Sequence, residues 1–218
     1  MITTIIILFT VLLSIRAFKD NALMSNLIFH PPAVRQGGWH RLFTYGVVHA
    51  DYPHLIFNMF TLYFFGMDIE RACKSALGES AGSVCYILLY LSALLVSILP
   101  TYFKHKDNAS YYGLGASGAV SAVIFAYMLV NPMNFMGILF IPIFLPAFLF
   151  GIIFLLISLA LDKKQTGGIN HSAHITGGIY GILYMVVIFF VLTDINLVQS
   201  FIGKIRIDSL SDLIRVGF

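Results

Sequence analysis

The chain has 218 residues, of which 59% are hydrophobic and only 11% are charged, and its formal net charge is +3. Soluble domains are about 45–50% apolar and about 25% charged, so this composition excludes an ordinary soluble protein. The thirteen Lys and Arg residues form no dense run, which excludes a nucleic-acid-binding surface. We therefore expect the chain to lie in a lipid bilayer.

Six apolar segments are predicted to cross the membrane as helices, because about 20 apolar residues span a hydrocarbon core roughly 30 Å thick. Six crossings and their loops use nearly the whole chain, so we predict a single all-α, polytopic membrane domain over residues 1–218. The predicted crossings are, in chain order, Ile2–Ile15, His54 to about Asp68, about Ser83 to Tyr102, Ser117–Val130, Met136–Leu161, and about His171 to Leu192.

The first and second crossings are separated by residues 16–53, which contain Trp39 and Arg41. Aromatic and basic residues favour the membrane interface, so this stretch is predicted to be an interfacial loop. At the other end of the chain, residues 194–218 mix basic and apolar residues and are predicted to form a short interfacial tail.

The fourth segment, Ser117–Val130, has only 14 residues, and a helix of that length is about 21 Å long. It cannot span the hydrocarbon core alone, so it is predicted to be a short, central fourth helix. The glycine-rich residues 111–116 before it should descend into the membrane as irregular backbone, which is tolerated where protein or water satisfies its polar groups. Ser117 would then lie at the floor of a wet pocket.

Two further features have simple interpretations. Pro142 and Pro146 interrupt the fifth segment, so that helix is predicted to tilt or kink. Cys73 and Cys85 lack metal-binding spacing, and they are predicted to be a buried, reduced and inert pair.

Reactive polar side chains stand at the beginning of the second, fourth and sixth crossings. Even-numbered crossings all begin on the same face of a bilayer, so these side chains can meet at one depth. Intramembrane polar residues are candidates for function by default, although they also join helices in structural roles. The residues are His54 and Asn58, Ser117, and His174.

Small residues accompany these polar side chains at helical spacing. Gly177 and Gly181 are four residues apart after His174, and Ala122 and Ala126 follow Ser117 at the same spacing. Such stripes let two helix backbones approach closely. The fourth and sixth helices are therefore predicted to pack together, which would bring a serine hydroxyl to an imidazole as nucleophile and base.

A series of short motifs runs from about residue 39 to residue 181. They are Trp39 and Arg41 with Phe43-Thr44, His49, His54-Leu55-Ile56-Phe57-Asn58-Met59, Phe65-Gly66 before Glu70, Gly115-Ala116-Ser117-Gly118, and Ala173-His174-Ile175-Thr176-Gly177 with Gly181. Taken together, this set resembles the rhomboid family of intramembrane serine proteases. The resemblance implies a six-helix rhomboid-like bundle with a core of about residues 39–193.

The resemblance implies a catalytic dyad without a carboxylate, in which Ser117 is the nucleophile and His174 is the general base and then the acid. Asn58 and His54 would stabilise the oxyanion. Gly115, Gly118, Gly177 and Gly181 would support helix packing. The implied activity is cleavage of single-pass transmembrane substrates within or next to their membrane-spanning helix, in contact with lipid and without a cofactor, metal or nucleic acid. We expect the protein in the inner (cytoplasmic) membrane of a bacterium.

Three positions depart from the family pattern. The Trp-Arg pair of many members is spread out here as Trp39-His40-Arg41. Ser121 stands where many relatives have an aromatic residue stacked on the catalytic histidine, and His171 stands where they often carry Asn. The membrane orientation is also unsettled. Eight Lys and Arg against five put the polar cluster on the cytoplasmic face, whereas the family resemblance implies the opposite face.

Three other functions were weighed against the protease. A zinc hydrolase could use His54, His171 and His174, but the usual nearby Glu is missing. A polar-site transporter should show internal sequence symmetry, which is not evident here. A catalytically inactive rhomboid-like scaffold would lack the Ser or the His, and this chain has both.

Overall fold

The architecture is a bundle of helices with a small antiparallel sheet, as given by a computed structural model that describes residues 1–137, 141–164 and 170–217. The helices are α1 (Ile2–Ala17), α2 (Asn21–Leu27), α3 (Pro31–Arg35), α4 (Arg41–Thr44), α5 (Tyr52–Thr61), α6 (Met67–Leu77), α7 (Glu79–His105), α8 (Ser117–Val130), α9 (Ala147–Lys164), α10 (His171–Leu192) and α11 (Leu197–Lys204). The strands are β1 (Phe135–Gly137), β2 (Ile143–Pro146) and β3 (Arg215–Val216).

The helices differ in their ability to cross a membrane alone. In the part of the chain that the structure describes, α7 with 27 residues and α10 with 22 residues are long and apolar enough to span a bilayer. Helices α1 and α8 and the apolar part of α9 are shorter. The mainly helical fold is confirmed, and the count of six crossings stays a prediction.

The helices that carry the predicted dyad have the predicted bounds. Helix α8 runs from Ser117 to Val130 and α10 runs from His171 to Leu192. Eleven of the 14 residues of α8 are buried, so it lies at the centre of the bundle as predicted.

The contact between α8 and α10 depends on two glycines. A Cβ added at Gly177 would collide with the carbonyl oxygen of Gly118, and one added at Gly181 would collide with the carbonyl oxygen of Ala122. The small-residue stripes therefore bring the two helix backbones into direct contact, as the sequence predicted.

The second predicted crossing is longer than expected. A π-helical turn, Leu62–Gly66, joins α5 to α6, and the helix continues to Leu77 instead of ending near Asp68. The extension is amphipathic, since Ile69, Glu70 and Cys73 are its buried residues. Gly78, with φ of 84°, ends α6 in a backbone conformation that favours glycine.

Buried polar contacts join α6 to its neighbours. The Glu70 carboxylate accepts hydrogen bonds from the backbone N–H groups of Ile2 and Thr3, each at 2.9 Å, which fixes the beginning of α1. The thiols of Cys73 and Cys85 are both buried and free, with 3.7 Å between their sulfur atoms, so the pair links α6 to α7 by contact alone.

The prediction for the fifth segment was wrong at its beginning. Helix α9 begins only at Ala147, and the residues before it form the antiparallel strands β1 and β2, with Phe135 opposite Pro146. Residues 138–140 of the predicted segment lie outside the described residues. Proline favours extended backbone in the residue before it and lacks an N–H for a helix, so Pro142 and Pro146 precede α9 and do not kink it.

The predicted interfacial loop contains α2, α3 and α4 and is held by backbone and side-chain hydrogen bonds. Arg41 donates to the carbonyl oxygens of Ser25 and Ile28 at 2.7 and 2.8 Å. Phe29 and Gly113 exchange two backbone hydrogen bonds of 2.9 Å each. The loop therefore braces the glycine-rich stretch that leads to Ser117.

The predicted tail forms α11 and β3 and packs on the bundle. Lys204, at the end of α11, donates a hydrogen bond of 2.8 Å to the carbonyl oxygen of Val130, the last residue of α8. Strand β3 pairs with β2, with Val216 opposite Ile143. A cation at the C-terminus of a helix satisfies a free carbonyl and complements the helix dipole.

Candidate active site

A serine and a histidine from the two contacting helices meet at the beginning of both helices. Ser117 is the first residue of α8, and His174 lies in the first turn of α10. The Ser117 Oγ and the His174 Nε2 are 2.7 Å apart, and both residues are only half buried. This distance is that of a hydrogen bond between a nucleophile and its base.

The beginning of α10 is fixed by its N-cap residue. The side chain of Asn170 accepts a hydrogen bond from the backbone N–H of Ala173 at 3.0 Å and donates to the Thr101 hydroxyl of α7 at 2.8 Å. An N-cap asparagine satisfies one of the free N–H groups of the first helical turn. The position of His174 is thereby tied to α7 as well as to α8.

The stretch before Ser117 is irregular backbone, and the two N–H groups nearest to Ser117 are bonded to other parts of the protein. Gly115 has φ of 103°, a conformation that side chains other than glycine rarely adopt. Its N–H donates to the carbonyl oxygen of Tyr45 at 2.9 Å, and the N–H of Ala116 donates to the His49 Nε2 at 3.4 Å. This satisfies the requirement for irregular backbone inside a membrane.

His54 lies directly against this stretch. A Cβ added at Gly115 would be 2.6 Å from the His54 Cε1, so glycine is required there for the imidazole to fit. The His54 ring also packs edge-on against His49, with 5.0 Å between ring centroids. The structure thus brings Ser117, His174 and His54 to the same end of the bundle.

Asn58 lies one turn further along α5 and is buried. Its side-chain amide donates a hydrogen bond of 2.9 Å to the carbonyl oxygen of His54 in the same helix. The structure records no hydrogen bond from this amide to Ser117 or His174 among the described residues. His54 likewise forms no hydrogen bond with either residue in the described ranges, so the oxyanion roles of Asn58 and His54 stay predictions.

The surroundings of His174 differ from those in many relatives, as the departure at Ser121 indicated. Ser121, which stands in the expected aromatic position, is buried. The rings nearest His174 belong to Phe154 of α9, at 6.2 Å and 31°, and to His171, at 6.0 Å and 82°. Within the described ranges, the hydrogen-bond partner of the His174 Nε2 is the Ser117 Oγ.

An apolar cavity of about 340 Å³ lies between α5, the π-helical turn that follows it, α8, β1 and α9. Phe154 lines this cavity and also flanks the His174 ring, so the two sites share one side chain. Apart from the hydroxyl of Thr61, its wall consists of apolar side chains and one glycine, including Phe57, Phe64, Phe125 and Met128.

Sequence reasoning missed Tyr45 and Phe154, which hold the site, and it did not find the partner of His49. Tyr45 and His49 accept hydrogen bonds from the two backbone N–H groups before Ser117, and Phe154 flanks His174. His49 was part of the family resemblance, but its partner could not be read from spacing. Phe154 is one of 20 phenylalanines in the chain and carried no distinguishing signal.

Comparison with known proteins gives a consistent assignment. The family described as Rhomboid domain matches residues 36–191, which include every predicted site residue. RHOMBOID-like protein 12, mitochondrial, of Arabidopsis thaliana is 31% identical over 170 residues, covering 74% of this chain and 50% of the relative. YdcA of Bacillus subtilis, a predicted rhomboid protease, is 28% identical over 95 residues, covering 44% of this chain and 43% of the relative. The chain spans about half the length of the curated relatives it matches.

Proposed function

Because the chain belongs to the rhomboid family of integral membrane proteins, we propose that it is a serine endopeptidase that cleaves single-pass transmembrane proteins within or next to their membrane-spanning helix. The observation that carries this proposal is the 2.7 Å contact between the Ser117 Oγ and the His174 Nε2. A catalytically inactive scaffold would not need this contact between two half-buried polar residues.

The proposed reaction begins with attack of the Ser117 Oγ on the scissile carbonyl carbon, while the His174 Nε2 takes the hydroxyl proton. The tetrahedral intermediate collapses when the C–N bond breaks, and His174 returns the proton to the leaving amine. A water molecule then attacks the acyl-enzyme with His174 again as base, which releases the new carboxyl terminus and restores Ser117.

Negative charge on the substrate oxygen needs preorganised donors. The free N–H groups in the first turn of α8 lie beside Ser117 at the positive end of the helix dipole, and the His54 ring packs against the preceding Gly115. Asn58 contributes in this proposal by turning its amide, which donates to its own helix in the structure, toward the developing oxyanion.

The proposed substrate is a helix that has lost part of its hydrogen bonding. A helix hides its carbonyls in backbone hydrogen bonds, so cleavage should favour sites with helix-breaking residues. The apolar cavity between α5 and α9 would receive apolar side chains of the substrate next to the cut.

The proposed membrane arrangement has six crossings within one domain, residues 1–218, with a core of about residues 39–193 and an interfacial tail. Helix α1, with 16 residues and a length of about 24 Å, is shorter than a hydrocarbon core of roughly 30 Å, so its crossing would require the bilayer to thin locally around it. The relatives come from a plant mitochondrion and from a bacterium. The relatives therefore do not favour the bacterial inner membrane, which was expected from the sequence, over a mitochondrial membrane.

The test uses purified protein in detergent with a test substrate that contains one transmembrane helix. Ser117→Ala and His174→Ala should each lower the rate of cleavage by more than about 10³-fold. Ser121→Ala is the matched control, because it removes a buried serine hydroxyl from the next turn of the same helix.

A fluorophosphonate provides an independent measurement, since it should label Ser117 in the wild type and in Ser121→Ala. Cleavage that survives either dyad substitution would end the proposal. Absence of both cleavage and labelling in the wild type would favour an inactive scaffold.

A further inference from the structure

His49 lies outside the dyad but is fully buried and connects two parts of the fold to the residue before Ser117. Its Nε2 accepts a hydrogen bond of 3.4 Å from the backbone N–H of Ala116. Its Nδ1 lies 3.1 Å from the hydroxyl oxygen of Ser14 on α1. Ser14 and Ala116 are fully buried as well, so these contacts are shielded from water.

The hydrogen atoms shared by Ala116, His49 and Ser14 can be placed in only one consistent way. A backbone N–H is always a donor, so the His49 Nε2 opposite Ala116 must be the ring nitrogen without a hydrogen. In a neutral imidazole the Nδ1 then carries the hydrogen and donates it to the Ser14 oxygen. The Ser14 hydroxyl is left to donate to the carbonyl oxygen of Val47, which is 2.9 Å away.

The connection requires a neutral imidazole, because a protonated ring would direct a second N–H at the N–H of Ala116. Burial, with a further contribution from His54, lowers the pKa of His49 to about 3, while Asp51 acts in the opposite direction. These are the ionisable groups that face the ring, so His49 stays neutral at ordinary pH.

We propose that His49 is a positioning residue for Ser117, acting through the backbone of Ala116, and that Ser14 of α1 selects the tautomer that this requires. The inference rests on the proposed protease function. Ala116 is the N-cap residue of α8, so a shift of its backbone moves the nucleophile that follows it. The contact of His49 with the His54 ring places the same imidazole beside the proposed oxyanion donor.

The first test replaces His49 with a residue that keeps neither hydrogen bond and with one that can keep the hydrogen bond to Ala116. His49→Leu removes both hydrogen bonds and should lower kcat by about 10²-fold with little change in KM, since a misplacement of about 1 Å has that effect. His49→Gln can place an amide oxygen near the former Nε2, so it should recover a large part of the lost kcat. Equal kcat values for wild type, His49→Leu and His49→Gln would overturn the proposal.

The second test compares two hydroxyls one turn apart on α1. Ser14→Ala removes the group that accepts from His49 and should lower kcat by about 10-fold, because the other tautomer then opposes the N–H of Ala116. Thr10→Val removes an equally buried hydroxyl that has no hydrogen-bond partner within the described residues, and it should leave kcat unchanged. An equal loss of kcat in Ser14→Ala and Thr10→Val would contradict the proposal, because the loss would then come from the packing of α1 and not from the hydrogen bond to His49.

A spectroscopic measurement keeps the inference independent of the protease activity. Nitrogen NMR of ¹⁵N-histidine-labelled protein in lipid, with His49→Gln to assign the signal, should show a neutral ring with hydrogen on Nδ1 between pH 5 and 8 in the wild type. A signal from the Nε2–H tautomer would overturn the inference. Wild-type protein that shows the expected tautomer but neither cleaves nor labels would instead contradict only the proposed function.

Discussion

The substitution Gly177→Ala tests the active-site geometry most directly, because it acts on the contact between α8 and α10. An added Cβ would collide with the carbonyl oxygen of Gly118. Ordinary contacts between a carbon atom and a carbonyl oxygen are about 3.3–3.6 Å, so the two backbones must separate by about 1 Å. A Cβ atom and a backbone carbonyl cannot relieve this collision by a side-chain rotation, so the helices themselves must move.

Such a separation of the two helices would also move Ser117 away from His174, because Gly118 follows Ser117 directly and Gly177 is one turn after His174. The contact of 2.7 Å between Oγ and Nε2 would lengthen beyond hydrogen-bond range. We expect kcat to fall by about 10²-fold, the usual effect of a misplacement of about 1 Å. Overpacking should also lower the free energy of unfolding by about 1–3 kcal/mol.

The assay measures cleavage of the test substrate and the rate of fluorophosphonate labelling, together with the melting temperature. Gly203→Ala is the matched control, because an added Cβ on α11 would meet no described residue within 4 Å apart from its chain neighbours and the backbone of its own helix. Gly178→Ala should have an intermediate effect, since its Cβ would meet the Phe125 ring, which can rotate. A Gly177→Ala protein with wild-type kcat and melting temperature would refute the reasoning.

Other predictions concern single side chains. Glu70→Gln should lower the free energy of unfolding by about 1.5–3 kcal/mol, measured by denaturation, because the buried carboxylate accepts backbone hydrogen bonds at the beginning of α1. Asn58→Ala should slow turnover of the test substrate by about 10²-fold without abolishing labelling of the nucleophile, as expected for an oxyanion donor. The pKa of His49 is about 3 in the folded protein against an ordinary 6.5, so its contribution to stability is complete above pH 6.5 and is lost as the pH falls toward 3. The difference in melting temperature between wild type and His49→Gln should shrink over that range, and a constant difference would contradict the assignment. Cys73 and Cys85 should react with a maleimide only after unfolding, because both thiols are buried.

The sequence was informative where a local pattern determines the structure. Helix α8 has the predicted bounds because a glycine-rich stretch precedes its apolar run and Asn131-Pro132 follows it. The four-residue spacing of Gly177 and Gly181 predicted the packing of α10 on α8, since only close backbone approach explains such a stripe in a membrane helix.

Errors arose where one pattern fits two structures. An apolar run interrupted by Pro142 and Pro146 was interpreted as one kinked helix, but the same residues suit the extended strands that precede α9. The extension of the second crossing to Leu77 was missed because an amphipathic turn with charged residues resembles a loop at the membrane surface.

Contacts between distant residues could not be predicted at all. Ser14 and Ala116 are about a hundred positions apart, and both reach the imidazole of His49. Nothing in the spacing of these three residues indicates that α1 lies against the residues before the nucleophile. The same is true of Phe154, which lies near His174 from α9, whereas the aromatic residue of many relatives stands on the helix of the nucleophile, at the position of Ser121.

The central location of α8 has a consequence for biosynthesis. A segment of 14 residues is too short to be stable in lipid alone, and 11 of these residues are covered by the rest of the protein. It must therefore be stabilised in the bilayer by the helices that surround it, and these include α10, which is synthesised after it. Since α10 also carries His174, the proposed protease could not act on neighbouring proteins before its own assembly is complete.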